Sequence, residues 1–134
     1  MPSPTWAPRR GGRHLAIRDE YPTIESLVNR VMLGLNYDES RDFGDEGTHV
    51  YLIESHGNGY IKVGKSNSVA HRFDQISTMS PVDDLRLIAS WPESWLPEGA
   101  LHDWFRPEHQ HGEWFSGPEI EGFAAEIDYL LEEM

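Results

Sequence analysis

The stretch Tyr60–Ser66 reads YIKVGKS. On a strand, Tyr60, Lys62 and Gly64 point one way and Ile61, Val63 and Lys65 the other. An ammonium group therefore sits in the middle of a segment that ought to bury one face, and the strand runs out in Gly-Lys-Ser. Tyr51 lies one hairpin's length upstream. Arg72 follows Gly64 by about two helical turns, and a carboxylate, Glu98, opens a later element. From Tyr60 to Arg72 the chain carries Lys62, Lys65, His71 and Arg72 and no acid at all. Phosphate contacts come from Lys and Arg, so this is a stretch in which a polyanion can be met.

The elements that would position these residues are legible from pattern. Residues 1–18, rich in Pro, Gly and Arg, read as a flexible basic arm. Residues 19–47 read as an N-terminal helix and an acidic loop. In that helix Ile24, Leu27, Val28, Val31, Met32 and Leu35 share one face, with Thr23 as N-cap after Pro22. HVYLIES and GYIKVGKS flank HGNG, a hairpin signal. Ser66 is placed to cap a following helix with Val69, Phe73 and Ile76 spaced for burial. DLRLIASW alternates and predicts a third strand with Leu85, Leu87, Ala89 and Trp91 on one face, ended by Pro92. A helix opens at LPEGALHDWF, with Pro97 early and Glu98 in its first turn. QHGEWFS predicts a turn and a short extended piece. A last helix from Pro118 buries Ile120, Phe123, Ala124, Ile127, Leu130 and Leu131. The expected fold is α/β (α+β): a small three-stranded, mainly antiparallel sheet flanked by helices, with an extra N-terminal helix.

Composition narrows the function classes. The chain has 134 residues, 38% of them hydrophobic, enough for one packed domain. No apolar run approaches the roughly 20 residues of a membrane span. There is no Cys, hence no disulfide frame and no thiolate metal site. The N-terminus lacks an apolar leader segment, and a cytoplasmic location is expected. The net charge of −12 works against nucleic-acid binding, but it is uneven. Four arginines and no acid precede Asp19, whereas Glu93–Met134 holds eleven acids against Arg106.

The order and spacing of HVY with Tyr51, KVG with Lys62 and Gly64, Arg72, EGALH with Glu98, and GEWF with Glu113 resemble the GIY-YIG endonuclease superfamily. The closest likeness is to a branch in phage and bacterial small proteins with lysine at the second-motif tyrosine position. The resemblance covers roughly residues 48–127, within a nuclease domain expected at 48–134. It implies metal-dependent hydrolysis of phosphodiester bonds, with one Mg²⁺ or Mn²⁺ held by Glu98. It further implies that Arg72 clamps the phosphate and that Tyr51 orients or deprotonates the attacking water. Lys62 would supply the positive charge that a phenol needs to act as a base. Gly64 would leave room for the nucleic-acid backbone. Lys65, Ser66, His102 and Glu113 would line the substrate. DNA is the expected partner ahead of RNA, no membrane is expected, and the acidic C-terminal helix is an alternative surface for a protein partner.

Each residue has a plainer reading. Tyr51 fits any sheet, and Lys62 can guard an edge strand. Gly64 can end a strand, Arg72 can be a solvated charge, and Glu98 in a first turn suits the helix dipole. His102 can be a polar helix residue, and Glu113 a structural acid beside Trp114 and Phe115. His109 and His111 show no zinc spacing with His102. Two rivals to the nuclease follow: a catalytically silent domain that binds nucleic acid or protein, and an acidic interaction protein.

Overall fold

The computed structural model describes residues 13–38, 47–79 and 84–133. The first twelve residues of the expected arm and the acidic loop at 39–46 lie outside them. The chain runs α1 (Arg13–Glu20), α2 (Ile24–Asp38), β1 (His49–Ser55), β2 (Ile61–Ser66), α3 (Val69–Met79) and β3 (Leu85–Pro92). It continues through α4 (Glu98–Trp104), a 3₁₀ turn at Arg106–Glu108, β4 (His109–His111), β5 (Trp114–Phe115) and α5 (Pro118–Glu133).

The fold is α+β, with an antiparallel five-stranded sheet in the order β3-β1-β2-β5-β4 and five helices. The three-stranded α/β expectation is therefore corrected. The added strands hold three and two residues, too few for an alternation of period two to show. They join through Gly112, whose φ of +57° a side-chain-bearing residue rarely adopts. The added helix, α1, begins inside the stretch read as an arm. Ile17 on it is fully buried, and Arg18 lies 3.8 Å over the Trp104 ring while donating to the Trp104 carbonyl at 2.6 Å.

Local signals explain most elements. Thr23 Oγ1 accepts from the Ser26 amide at 3.1 Å, and Ser26 Oγ accepts from the Thr23 amide at 3.1 Å. This reciprocal cap starts α2. The β1–β2 turn uses Gly59 at φ +77°. Ser66 Oγ accepts from the Ser68 amide at 2.9 Å and turns the chain into α3.

Two apolar layers sandwich the sheet. Val50, Leu52, Ile61 and Val63 face the larger core with Leu27, Val31, Leu101, Phe123 and Ile127. Tyr51 and Ile53 face the smaller one, under α3, with Ile76, Phe73 and Val69. The third strand departs from its predicted pattern. Its register against β1 shifts between Leu52 and Ile53, so Leu85 and Leu87 join the α3 side while Ala89 and Trp91 join the other. One extra residue in a strand produces this switch of faces.

Glu108 anchors the last helix. Its carboxylate accepts from the amides of Glu119 at 3.0 Å and Ile120 at 2.7 Å, the unpaired donors of the first turn of α5. Gly117, at φ +152°, lets it in: a Cβ there would come within 2.3 Å of Glu108 Cδ. Glu108→Ala is expected to lower stability by about 1–2 kcal/mol, the usual loss for an N-cap. A urea midpoint that falls with an unchanged m value would show it, and an unchanged midpoint would refute it.

Candidate functional site

Tyr51 on β1 is opposite Gly64 on β2, and Ile53 is opposite Lys62. The missing side chain of Gly64 is filled from two sides. A Cβ there would stand 2.4 Å from the Tyr51 hydroxyl, 2.5 Å from its Cζ and 2.8 Å from Glu113 Oε1. The glycine thus makes room for the protein's own phenol and carboxylate, where the sequence suggested room for a nucleic-acid backbone.

Glu113 reaches this point because β5 pairs with β2, Lys62 opposite Trp114, and because Val63 N–H donates to the Glu113 carbonyl at 3.0 Å. Its Oε1 is 3.1 Å from Lys62 Nζ. Lys62 is 8% exposed, and its ammonium also lies 5.3 Å from the Trp114 ring. A charge this buried needs a counter-ion, and Glu113 is it.

Glu98 opens α4 with a side chain only 14% exposed. Burial first, then the hydrogen bond and the charge of Glu113, push its carboxyl up to about 7. Glu98 Oε2 is buried and, with both carboxyls ionised, has no hydrogen-bond partner. A proton shared between the two carboxyls, or a cation between them, would satisfy it. His102, one turn on, has Nε2 at 3.6 Å from that oxygen but spends its N–H on the Val63 carbonyl at 2.8 Å. Packed edge-on to Phe115 at 5.0 Å, His102 closes the edge of β2 where the short β5 ends.

Arg72 on α3 is close enough to the Tyr51 hydroxyl to act on its proton, and donates to Gln75 Oε1 at 3.3 Å. Burial holds the Tyr51 phenol above its usual value. Arg72 works against this, while the charges of Glu113 and Glu98 add to it. The cation at Tyr51 is therefore Arg72, whereas Lys62 serves Glu113. Tyr51, 1% exposed, keeps its proton at neutral pH and is a hydrogen-bond donor there.

The structure brings Tyr51, Lys62, Gly64, Arg72, Glu98, His102 and Glu113 into one contiguous set. Ser66 stands apart from it, whereas Lys65 borders it and its charge pulls the Glu98 carboxyl down against the burial. Lys65 Nζ pairs with Glu93 Oε2 at 3.0 Å, and Ser66 turns the backbone. Sequence reasoning missed Glu93 and the part of Trp114 as a wall beside Lys62. Neither carries a signal without knowledge of which strand lies next to β2.

A small divalent cation fits the carboxyl pair. Two hard oxygen donors converge, one of them orphaned, and such a cation keeps most of its waters. Among the described residues no group of three or more His, Asp or Glu is arranged to hold a metal, so the remaining positions would go to water and phosphate oxygen.

Residues 48–133, well over half of the chain, match the T5orf172 domain. This is a different family from the GIY-YIG superfamily, for which no match is found, and the resemblance drawn from the motifs is corrected accordingly. Those motifs share spacing with the superfamily but depart from it in residue type at positions 49, 50, 62 and 63. The T5orf172 domain is associated with DNA-binding and nuclease-like functions. No curated protein and no solved structure matches the chain. Among the described residues, no helix is long and apolar enough to cross a membrane.

Proposed function

The chain belongs to the T5orf172 domain family, and on that premise we propose that it is a metal-dependent endonuclease or nickase hydrolysing phosphodiester bonds in DNA. The observation that carries the proposal is the Glu98–Glu113 pair with its orphaned oxygen, set beside Tyr51 and the Arg72 cation that acts on its phenol. Mg²⁺ or Mn²⁺ held by Glu98 and Glu113 would polarise the phosphate and offset its charge. Arg72 binds a phosphate oxygen with a fork of donors and gains strength as negative charge builds. The Tyr51 hydroxyl, beside Arg72, orients water for attack. Lys62 fixes Glu113 in place, and His102 holds the edge of β2 at Val63.

The test is supercoiled plasmid with Mg²⁺ or Mn²⁺. The wild-type chain is expected to nick it, and Arg72→Ala and Glu98→Ala to slow nicking by about 100-fold or more. Arg72 is part-exposed, so its variant is expected to melt with the wild type. A wild-type chain that leaves plasmid intact with both metals would end the nuclease reading.

A second reading is a domain that binds nucleic acid without cutting it. The burial of Tyr51 and Lys62 favours it, because neither side chain is open to solvent in this state. Retention of DNA without nicking would decide for it.

A further inference from the structure

The sheet face that carries Lys62 continues past the pocket. Lys62 is opposite Ile53 on β1 and Trp114 on β5, and Trp114 is opposite His111 on β4. One cross-strand row therefore runs from the core beneath α3, through the pocket lysine, to the edge strand. Its outer end is made of rings. Trp114 packs one side against the α3 core and is only partly buried, and His111 is exposed. Tyr60, two residues before Lys62, meets His111 at 6.4 Å with the planes tilted by 58°. Tyr60 and His111 belong to neither core layer, so packing does not account for them.

We propose that Tyr60, His111 and Trp114 form a stacking surface for an unpaired base of the DNA strand whose phosphate occupies the pocket. The identity of that strand rests on the nuclease reading above. Three features commit the surface to this occupant. It is continuous with the pocket, since Lys62 belongs to both. Its chemistry suits a base, because every base offers a π face to an aromatic side chain regardless of sequence. Its charge is suitable too: Tyr60 opens the acid-free stretch to Arg72, in a chain of net charge −12. A base inside a duplex has both faces covered by its neighbours. The substrate class is therefore DNA that is single-stranded, or has a base extruded, at the point of cutting.

The experiment uses the full chain in EDTA, so that nothing is cut. Binding of a fluorescein-labelled oligo-dT strand and of a duplex of equal length is followed by anisotropy. Tyr60→Ser and His111→Ser alter part-buried and exposed rings, and Trp114→Leu keeps an apolar side chain against the core. Each is expected to weaken single-strand binding by about 5- to 50-fold, with duplex affinity held within about twofold and melting unchanged for the two serine variants. Wild-type failure to bind oligo-dT, variants that bind it like wild type, or equal losses on strand and duplex would each overturn the proposal. Ring-dependent binding by a chain that never nicks plasmid would end the nuclease reading and leave the stacking surface standing. Nicking with ring-independent binding would do the reverse.

Discussion

Glu98→Gln is expected to make the metal-free protein more stable at pH 8 and to abolish its response to divalent cations. The Glu98 carboxyl titrates at about 7 in the fold against an ordinary value of 4.5, raised by burial and by Glu113. Below the unfolded value, both states hold the proton and there is no cost. As pH rises through 4.5 towards 7 the unfolded chain releases its proton first, so stability falls across that window and levels off above it. At pH 8 the folded wild type bears on the order of 3 kcal/mol of this cost, since the rise from 4.5 to about 7 is worth about 1.4 kcal/mol per pKa unit. Glutamine keeps the shape and carries no charge. The expected gain at pH 8 is roughly 5–10 °C in Tm, shrinking towards zero near pH 4.5. Mg²⁺ or Mn²⁺ is expected to raise the Tm of wild type and leave the variant where it was. A variant no more stable than wild type at pH 8, or one equally stabilised at pH 5 and pH 8, would show that the carboxyl pair is not strained.

Gly64→Ala is expected to cost about 2–3 kcal/mol and most of the activity, through steric overlap alone. A methyl group there meets the Tyr51 hydroxyl and ring at 2.4 and 2.5 Å and Glu113 Oε1 at 2.8 Å. These side chains are held by β1, by Arg72 and by Lys62, so neither can step aside freely. The overlap is with Tyr51 first, which gives a control. In a Tyr51→Leu background, where the hydroxyl and ring are gone, the same alanine is expected to cost at least about 1 kcal/mol less than in wild type. Equal costs in both backgrounds, read from urea midpoints, would mean that the glycine serves the backbone and not the phenol.

How much could be read beforehand depends on the range of the interaction. The face of α2 from Ile24 to Leu35, the Gly59 hairpin and the stripe of α5 from Ile120 to Ile127 are local periodicities, and each is present. The convergence of Tyr51, Lys62, Arg72 and Glu98 was legible as spacing. Their partners were not. Lys62 finds Glu113 because a two-residue strand from far downstream lies beside β2, and two residues carry no period. The faces of β3 were misread because one extra residue shifts the register at Leu52/Ile53. Helix α1 was hidden because Ile17, the one buried residue among its described side chains, and an arginine resting on Trp104 do not look like an apolar face. The spacing of the site residues points to the GIY-YIG superfamily while their types at 49, 50, 62 and 63 depart from it, and the family match follows the whole domain.

The way this chain disposes of its cations governs how it would find a polyanion. Arg18, Lys62, Lys65, Arg86 and Arg106 each face a carboxylate, and Arg30 is spread over the Trp95 ring and carbonyl. Among the described side chains, Arg72 alone turns its guanidinium to the pocket with only a phenol and an amide as partners. Among the described residues, long-range attraction is thus largely cancelled before any partner arrives. These cations by themselves would give an encounter with DNA little electrostatic steering, in the range of about 10⁵–10⁶ M⁻¹s⁻¹ of unsteered complexes, and a weak dependence on ionic strength. Such a protein does not scan a genome by sliding along its charge. It discriminates after contact, and holds only those strands whose exposed chemistry it can grip at short range.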